Sequence, residues 1–71
     1  MTTDKLLSAL HNLCKEQMWC FALQYSEAEN MWYAEASGTG EREYWEVKRC
    51  ISPNQALERL LEKLDSLSTF D

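Results

Sequence analysis

Trp19-Cys20-Phe21-Ala22-Leu23-Gln24-Tyr25, Met31-Trp32-Tyr33-Ala34-Glu35-Ala36 and Tyr44-Trp45-Glu46-Val47 are three aromatic-rich runs separated by clusters of turn-forming residues. In an extended chain successive side chains point to opposite faces, so each run divides into two rows. The first sets Trp19, Phe21, Leu23 and Tyr25 against Met18, Cys20, Ala22 and Gln24. The second sets Trp32, Ala34 and Ala36 against Met31, Tyr33, Glu35 and Ser37. Glu35 marks the solvent side, so the tryptophan and the alanines are predicted to face inward. The third sets Glu43, Trp45, Val47, Arg49 and Ile51 against Arg42, Tyr44, Glu46, Lys48 and Cys50. Met18 to Ile51 therefore reads as an antiparallel meander with strands near 18–25, 31–37 and 42–51.

Of the two connections, Ser26-Glu27-Ala28-Glu29-Asn30 is acidic and lacks glycine. Ser37-Gly38-Thr39-Gly40 is the clearer turn, with glycines expected to supply positive φ without strain. Its Gly-x-Gly is not a nucleotide loop, because the glycine spacing is incomplete and a strand follows it.

Working outward, the leucines lie mostly before and after the meander. Leu6, Leu10, Leu13 and Cys14 recur at helical spacing, with Leu7 on the flank, predicting a helix near 4–17 capped by Thr2 or Thr3. Ser52-Pro53-Asn54-Gln55 predicts the start of a second helix: Ser52 as cap, Pro53 at the first helical position, Gln55 completing a capping box. Leu57, Leu60, Leu61, Leu64 and Leu67 then form one stripe. The tail, Ser68-Thr69-Phe70-Asp71, is expected to be loose, with Phe70 free to tuck against the domain. The fold class is thus α+β: residues 1–71 as one domain, a three-stranded antiparallel sheet with two helices packed on one face. Its expected core is Phe21, Leu23, Trp32, Trp45, Leu10, Leu13, Leu57, Leu60, Leu61 and Leu64.

The chain has 71 residues, near the lower limit for an unaided hydrophobic core. Cys14, Cys20 and Cys50 are an odd number without paired spacing, fitting neither a disulfide framework nor a zinc site. They read as buried or half-buried free thiols in a reducing compartment; an intermolecular disulfide or a redox role is the alternative. The N-terminus lacks a signal-peptide pattern and no apolar run reaches the length of a bilayer span, so a cytoplasmic location is expected.

Twelve acidic against seven basic residues give a formal charge of −5. That balance disfavours direct nucleic-acid binding, whose affinity comes largely from neutralising phosphates, and favours solubility or a basic protein partner. His11 stands alone, without a carboxylate or second histidine at ligand spacing. No catalytic, cofactor-binding or metal-ligating set emerges, so the chain reads as a non-enzymatic binding module.

The order α-β-β-β-α resembles the double-stranded-RNA-binding domain over nearly the whole chain. That resemblance implies RNA contact through the first strand connection and a lysine-rich start to the second helix. Here those places read Ser26-Glu27-Ala28-Glu29-Asn30 and Ser52-Pro53-Asn54-Gln55-Ala56, which departs from the family where RNA would be gripped. Trp32-Tyr33-Ala34-Glu35 and Ser52-Pro53-Asn54-Gln55-Ala56-Leu57 are also similar to HicB-like antitoxin domains, although the leading helix and the intervening strand are not.

The expected open sheet face presents Cys20, Ala22, Gln24, Met31, Tyr33, Glu35, Tyr44, Glu46 and Lys48. Tyrosine and methionine among carboxylates suit a protein interface. The candidate protein-binding residues are Glu27, Glu29, Met31, Tyr33, Glu35, Glu43, Tyr44 and Glu46, with Glu41 in the same acidic cluster. The expected partner is a protein with a basic surface, and a homodimer through this face is a further expectation. Size, acidity and the lack of a catalytic set suggest a small inhibitor or adaptor. The expected setting is a phage or mobile element, with an anti-CRISPR-like role against a host nucleic-acid-handling complex. The alternative is a degenerate double-stranded-RNA-binding fold used for dimerisation or weak RNA contact.

Overall fold

The computed structural model describes residues 2–40 and 42–68, the last two through their backbone only. The expectations placed on Glu41, Phe70 and the Leu67 side chain fall outside the described residues. The element order is α1 (Thr3–Gln17), β1 (Cys20–Ser26), β2 (Met31–Ser37), β3 (Tyr44–Cys50) and α2 (Pro53–Ser68). The strands form one antiparallel sheet in the order β1-β2-β3, and both helices pack on the same face.

Local signals set each boundary. Thr2 is extended and its hydroxyl accepts from the Lys5 amide, while Asp4 in the first turn complements the helix dipole. α1 ends where Met18 turns into the left-handed region at φ 61°, and Trp19 N–H donates to the Cys14 carbonyl at 2.8 Å. This is a C-cap geometry that glycine usually occupies. At the start of α2, Gln55 N–H donates to Ser52 Oγ at 3.1 Å, and Gln55 Oε1 accepts from the Ile51 amide at 2.9 Å. The glutamine thus reaches one residue further back than a capping box requires.

The β1–β2 hairpin turns without glycine because Asn30, a residue tolerant of the left-handed region, takes φ 55°. Glu29 N–H leans on Ser26 Oγ at 3.4 Å. In the second connection the glycines serve a purpose other than the expected one, since neither has positive φ. A Cβ on Gly38 would collide with Glu43 Oε2 and lie 2.7 Å from Trp19 Cδ1. Glu43 accepts from Trp19 Nε1 at 2.7 Å, and Gly38 N–H donates to the Glu43 carbonyl at 2.7 Å. The glycines leave room for a glutamate folded back beneath the turn.

The register places Phe21, Ala36 and Trp45 in one cross-strand row beneath the helices, and Leu23, Ala34 and Val47 in the next. Alternation predicts both rows. It fails after Val47. Ala34 opposes Val47 but Trp32 opposes Cys50, so β3 carries one extra residue at a bulge where Arg49 takes φ 57°. The extra residue inverts the remainder of the strand. Cys50, expected to face outward, is fully buried under α2, and Ile51, expected inward, is 79% exposed.

The core proper is Leu6, Leu10 and Cys14 of α1, Ala34 and Ala36 of β2, Cys50 of β3, and Ala56, Leu57, Leu60 and Leu64 of α2. Leu13, Phe21, Leu23, Trp32, Trp45 and Leu61 were expected in the core but only pack against it, half-buried. Small residues on the central strand bring the helices close, which leaves the large aromatics at the margins. There Trp19 lies on Trp45 with ring centroids 4.6 Å apart, and Tyr25 lies on Trp32 at 4.9 Å, both tilted. Cys20, expected to be at least half-buried, is exposed, because its place in β1 faces away from the helices. Burial pushes the Cys14 thiol above its ordinary pKa, with Cys20 adding to the effect.

Two stability tests follow from this packing. Leu60→Ala should cost about 2–5 kcal/mol, the range for deleting a fully buried leucine side chain, and the half-buried Leu61→Ala should cost less. Equal midpoints for the two variants in urea would contradict the layering. Met18→Gly removes a side chain from a left-handed position and should raise stability by about 1 kcal/mol, read as a higher Tm.

Candidate functional site

The face that the helices leave open is built from rows that alternate with the core rows. Ala22, Glu35 and Glu46 form one row; Cys20, Ser37 and Tyr44 form the next; Gln24 lies opposite Tyr33. On this surface the tyrosines donate to the carboxylates. Tyr44 Oη lies 2.8 Å from Glu35 Oε2 and 3.2 Å from Glu46 Oε2. The Tyr33 hydroxyl donates to Glu29, which reaches up from the β1–β2 turn. Gln24 Nε2 completes the set at 3.5 Å from Glu35 Oε1. Glu46 also holds Lys48 in an ion pair at 3.1 Å.

Of the eight candidate residues, five thus form two neighbouring hydrogen-bonded sets, Tyr33 with Glu29 and Tyr44 with Glu35 and Glu46. Met31 lies half-buried at the turn end of β2, opposite Ser26, and Glu27 is exposed in the turn itself. Glu43 is elsewhere. It lies at the opposite end of the sheet, under the Gly38–Gly40 turn, tied to the Trp19 indole.

A shallow depression of about 280 Å³ runs between Glu29, Tyr33, Glu35 and Glu46, and Gln24, Lys48 and Arg49 also line it. Strict alternation assigns Arg49 to the inner row, and the bulge brings it to this side. No residue type between Val47 and Cys50 announces a bulge, so the sequence offered no signal for Arg49 beyond its own charge. The surface is therefore acidic with a basic border along β3. β1 brings only uncharged side chains to it.

The electrostatics follow from these contacts. Hydrogen bonding to Glu35, then desolvation and the second carboxylate, pushes the Tyr44 phenol up to about 12. Tyr33 is raised above its ordinary value chiefly by its bond to Glu29, with Ser26 and then Arg49 opposing. Glu46 is held below the usual carboxylate range chiefly by its bond to Lys48, with Tyr44 contributing. Both phenols are consequently neutral donors near neutral pH, fixing where the carboxylates point.

Among the described residues, no group of three or more His, Cys, Asp or Glu side chains is placed to hold a metal ion. No helix among them is long and apolar enough to cross a membrane.

The tyrosine–carboxylate array makes a direct prediction. A phenol whose folded pKa exceeds its unfolded value of about 10 stabilises the fold fully below that pH. It loses this contribution as pH rises through the folded value. Carbon-13 spectra of labelled tyrosine should show Tyr44 titrating near 12. Glu35→Gln should return it toward the ordinary value of about 10. An unchanged Tyr44 titration in that variant would show that Glu35 does not hold it.

The order α-β-β-β-α with both helices on one sheet face is the layout of the double-stranded-RNA-binding domain, and the likeness is one of topology. No family model, curated protein or solved structure matches the chain.

Proposed function

We propose that this chain is a non-enzymatic protein-binding module that docks its open sheet face against a basic surface of a partner protein. The observation that carries this reading is the array of Glu29, Glu35 and Glu46 held in place by Tyr33 and Tyr44. Carboxylates set in advance by neutral phenols lose little freedom on binding, and tyrosine rings add contact area at low entropic cost. Complementary charge speeds the encounter, and the aromatics hold the complex. A basic surface shaped for nucleic-acid phosphates is the partner that such an array fits best. The role that follows is that of an inhibitor or adaptor, of the anti-defence type, acting on a nucleic-acid-handling complex.

Direct RNA binding draws less support. The strand connection that would enter a minor groove carries Glu27 and Glu29, and α2 opens with Ser52-Pro53-Asn54-Gln55 rather than lysines.

The test is capture from cell extract with the wild-type chain and a Glu29→Lys/Glu35→Lys/Glu46→Lys variant side by side. A true partner should be held by the wild type, lost by the variant and released as salt rises. Screening shortens from about 10 Å at 0.1 M ionic strength to about 3 Å at 1 M. With the purified partner, reversing Glu29 or Glu46 should slow association, whereas Tyr33→Ala or Tyr44→Ala should speed dissociation. Binding indifferent to salt and to these variants sinks the proposal. Tight RNA binding by the chain alone, abolished by changing Lys48, Arg49, Arg59 or Lys63, would replace it with an RNA-contact role.

A further inference from the structure

The sheet has two edges, and they differ. The β3 edge is bulged at Arg49, carries Glu46, Lys48 and Arg49, and has its Glu46 carbonyl contacted by Lys63 Nζ at 3.4 Å. Charges, bulges and capped carbonyls are the means by which sheets discourage strand addition. The β1 edge has none of them. Cys20–Ser26 reads Cys-Phe-Ala-Leu-Gln-Tyr-Ser, without a charge or a proline, and pairs with β2 residue for residue without a bulge. α2 lies mostly over β2 and β3, and α1 touches β1 only lightly. Phe21 and Leu23 stay half-buried on the helix side, and Tyr25 is 44% exposed.

We propose that β1 pairs antiparallel with β1 of a second copy about a two-fold axis at Leu23, joining two sheets into one of six strands. The occupant is chosen by the strand's own sequence, which is nearly palindromic in chemistry about Leu23. That axis sets Leu23 against its own copy, Phe21 against Tyr25, Ala22 against Gln24 and Cys20 against Ser26. Aromatic meets aromatic and leucine meets leucine on the helix side. Small or uncharged polar residues meet on the open side, where such cross-strand pairs stabilise a sheet. An isologous contact requires this self-complementarity. Charge points the same way. Two chains of formal charge −5 repel, and β1 is the one strand of this sheet with no ionised side chain to set against its like.

The seam is independent of the proposed docking to a basic partner, and its test needs no partner. Sedimentation of the full chain from micromolar to millimolar concentration should show a monomer–dimer equilibrium. Ala22→Lys/Gln24→Lys places two like-charged pairs directly across the axis and should weaken the dimer roughly tenfold. Ala22→Lys/Gln24→Glu turns the same two pairs into opposite charges and should restore it. Both substitutions lie on the solvent side of β1, and circular dichroism checks that the fold is kept. In a mixed labelled and unlabelled sample, isotope-filtered spectra should connect Phe21 of one copy to Tyr25 of the other. A monomer at millimolar concentration, a dimer indifferent to the lysine pair, or intermolecular contacts confined to another surface would each overturn the proposal.

Discussion

Everything in this small structure depends on leucines resting on alanines. Leu57, Leu60 and Leu64 of α2 and Leu6 and Leu10 of α1 are fully buried over a floor whose centre is Ala34 and Ala36. Methyl-sized side chains on the middle strand let the helices approach closely, so a chain of 71 residues can close a dry core. The cost is lateral: a helix drawn down onto alanines cannot also cover tryptophans. Trp19, Trp32 and Trp45 therefore border the core, and each of the ring pairs seals one end of it.

This division separates the two faces of the sheet. Under the helices the contacts are apolar, and no buried side-chain nitrogen or oxygen among the described residues lacks a hydrogen-bond partner. On the open face the contacts are hydrogen bonds between neutral phenols and carboxylates. Because side chains alternate, substitutions on one face of β2 scarcely touch the other. Tyr33 and Glu35 can be exchanged for surface chemistry without rebuilding the floor made by Ala34 and Ala36.

Much of this was legible in the sequence. Glu35 between two alanines identifies the inner face of β2, and Ser52-Pro53 fixes the start of α2 almost to the residue. Tyr33, Glu35, Tyr44 and Glu46 are legible as a shared face because period-two spacing needs no tertiary information, whereas Glu29 reaches it from the turn. What was not legible has a common physical origin in backbone conformations that side-chain type does not declare. Arg49 takes a left-handed φ although nothing about arginine favours it, and so Cys50 and Ile51 exchange places. Glycines at 38 and 40 signal a turn, but only the folded chain reveals that they make room for Glu43. The same contact removes Glu43 from the acidic face to which its charge alone would assign it.

Among the described residues three are left-handed: Met18 between α1 and β1, Asn30 in the β1–β2 turn and Arg49 at the bulge of β3. Two of them are side chains that gain nothing from that conformation. This gives the fold a signature for recognising diverged kin that hydrophobic patterning would miss. In a relative, glycine or asparagine should appear at the positions of Met18 and Arg49, with small residues kept where Ala34, Ala36 and Ala56 lie. A relative without the bulge would be one residue shorter between Val47 and Ser52. An alignment that refuses a gap there would set its buried residue against Arg49 and lose the correspondence for all of α2.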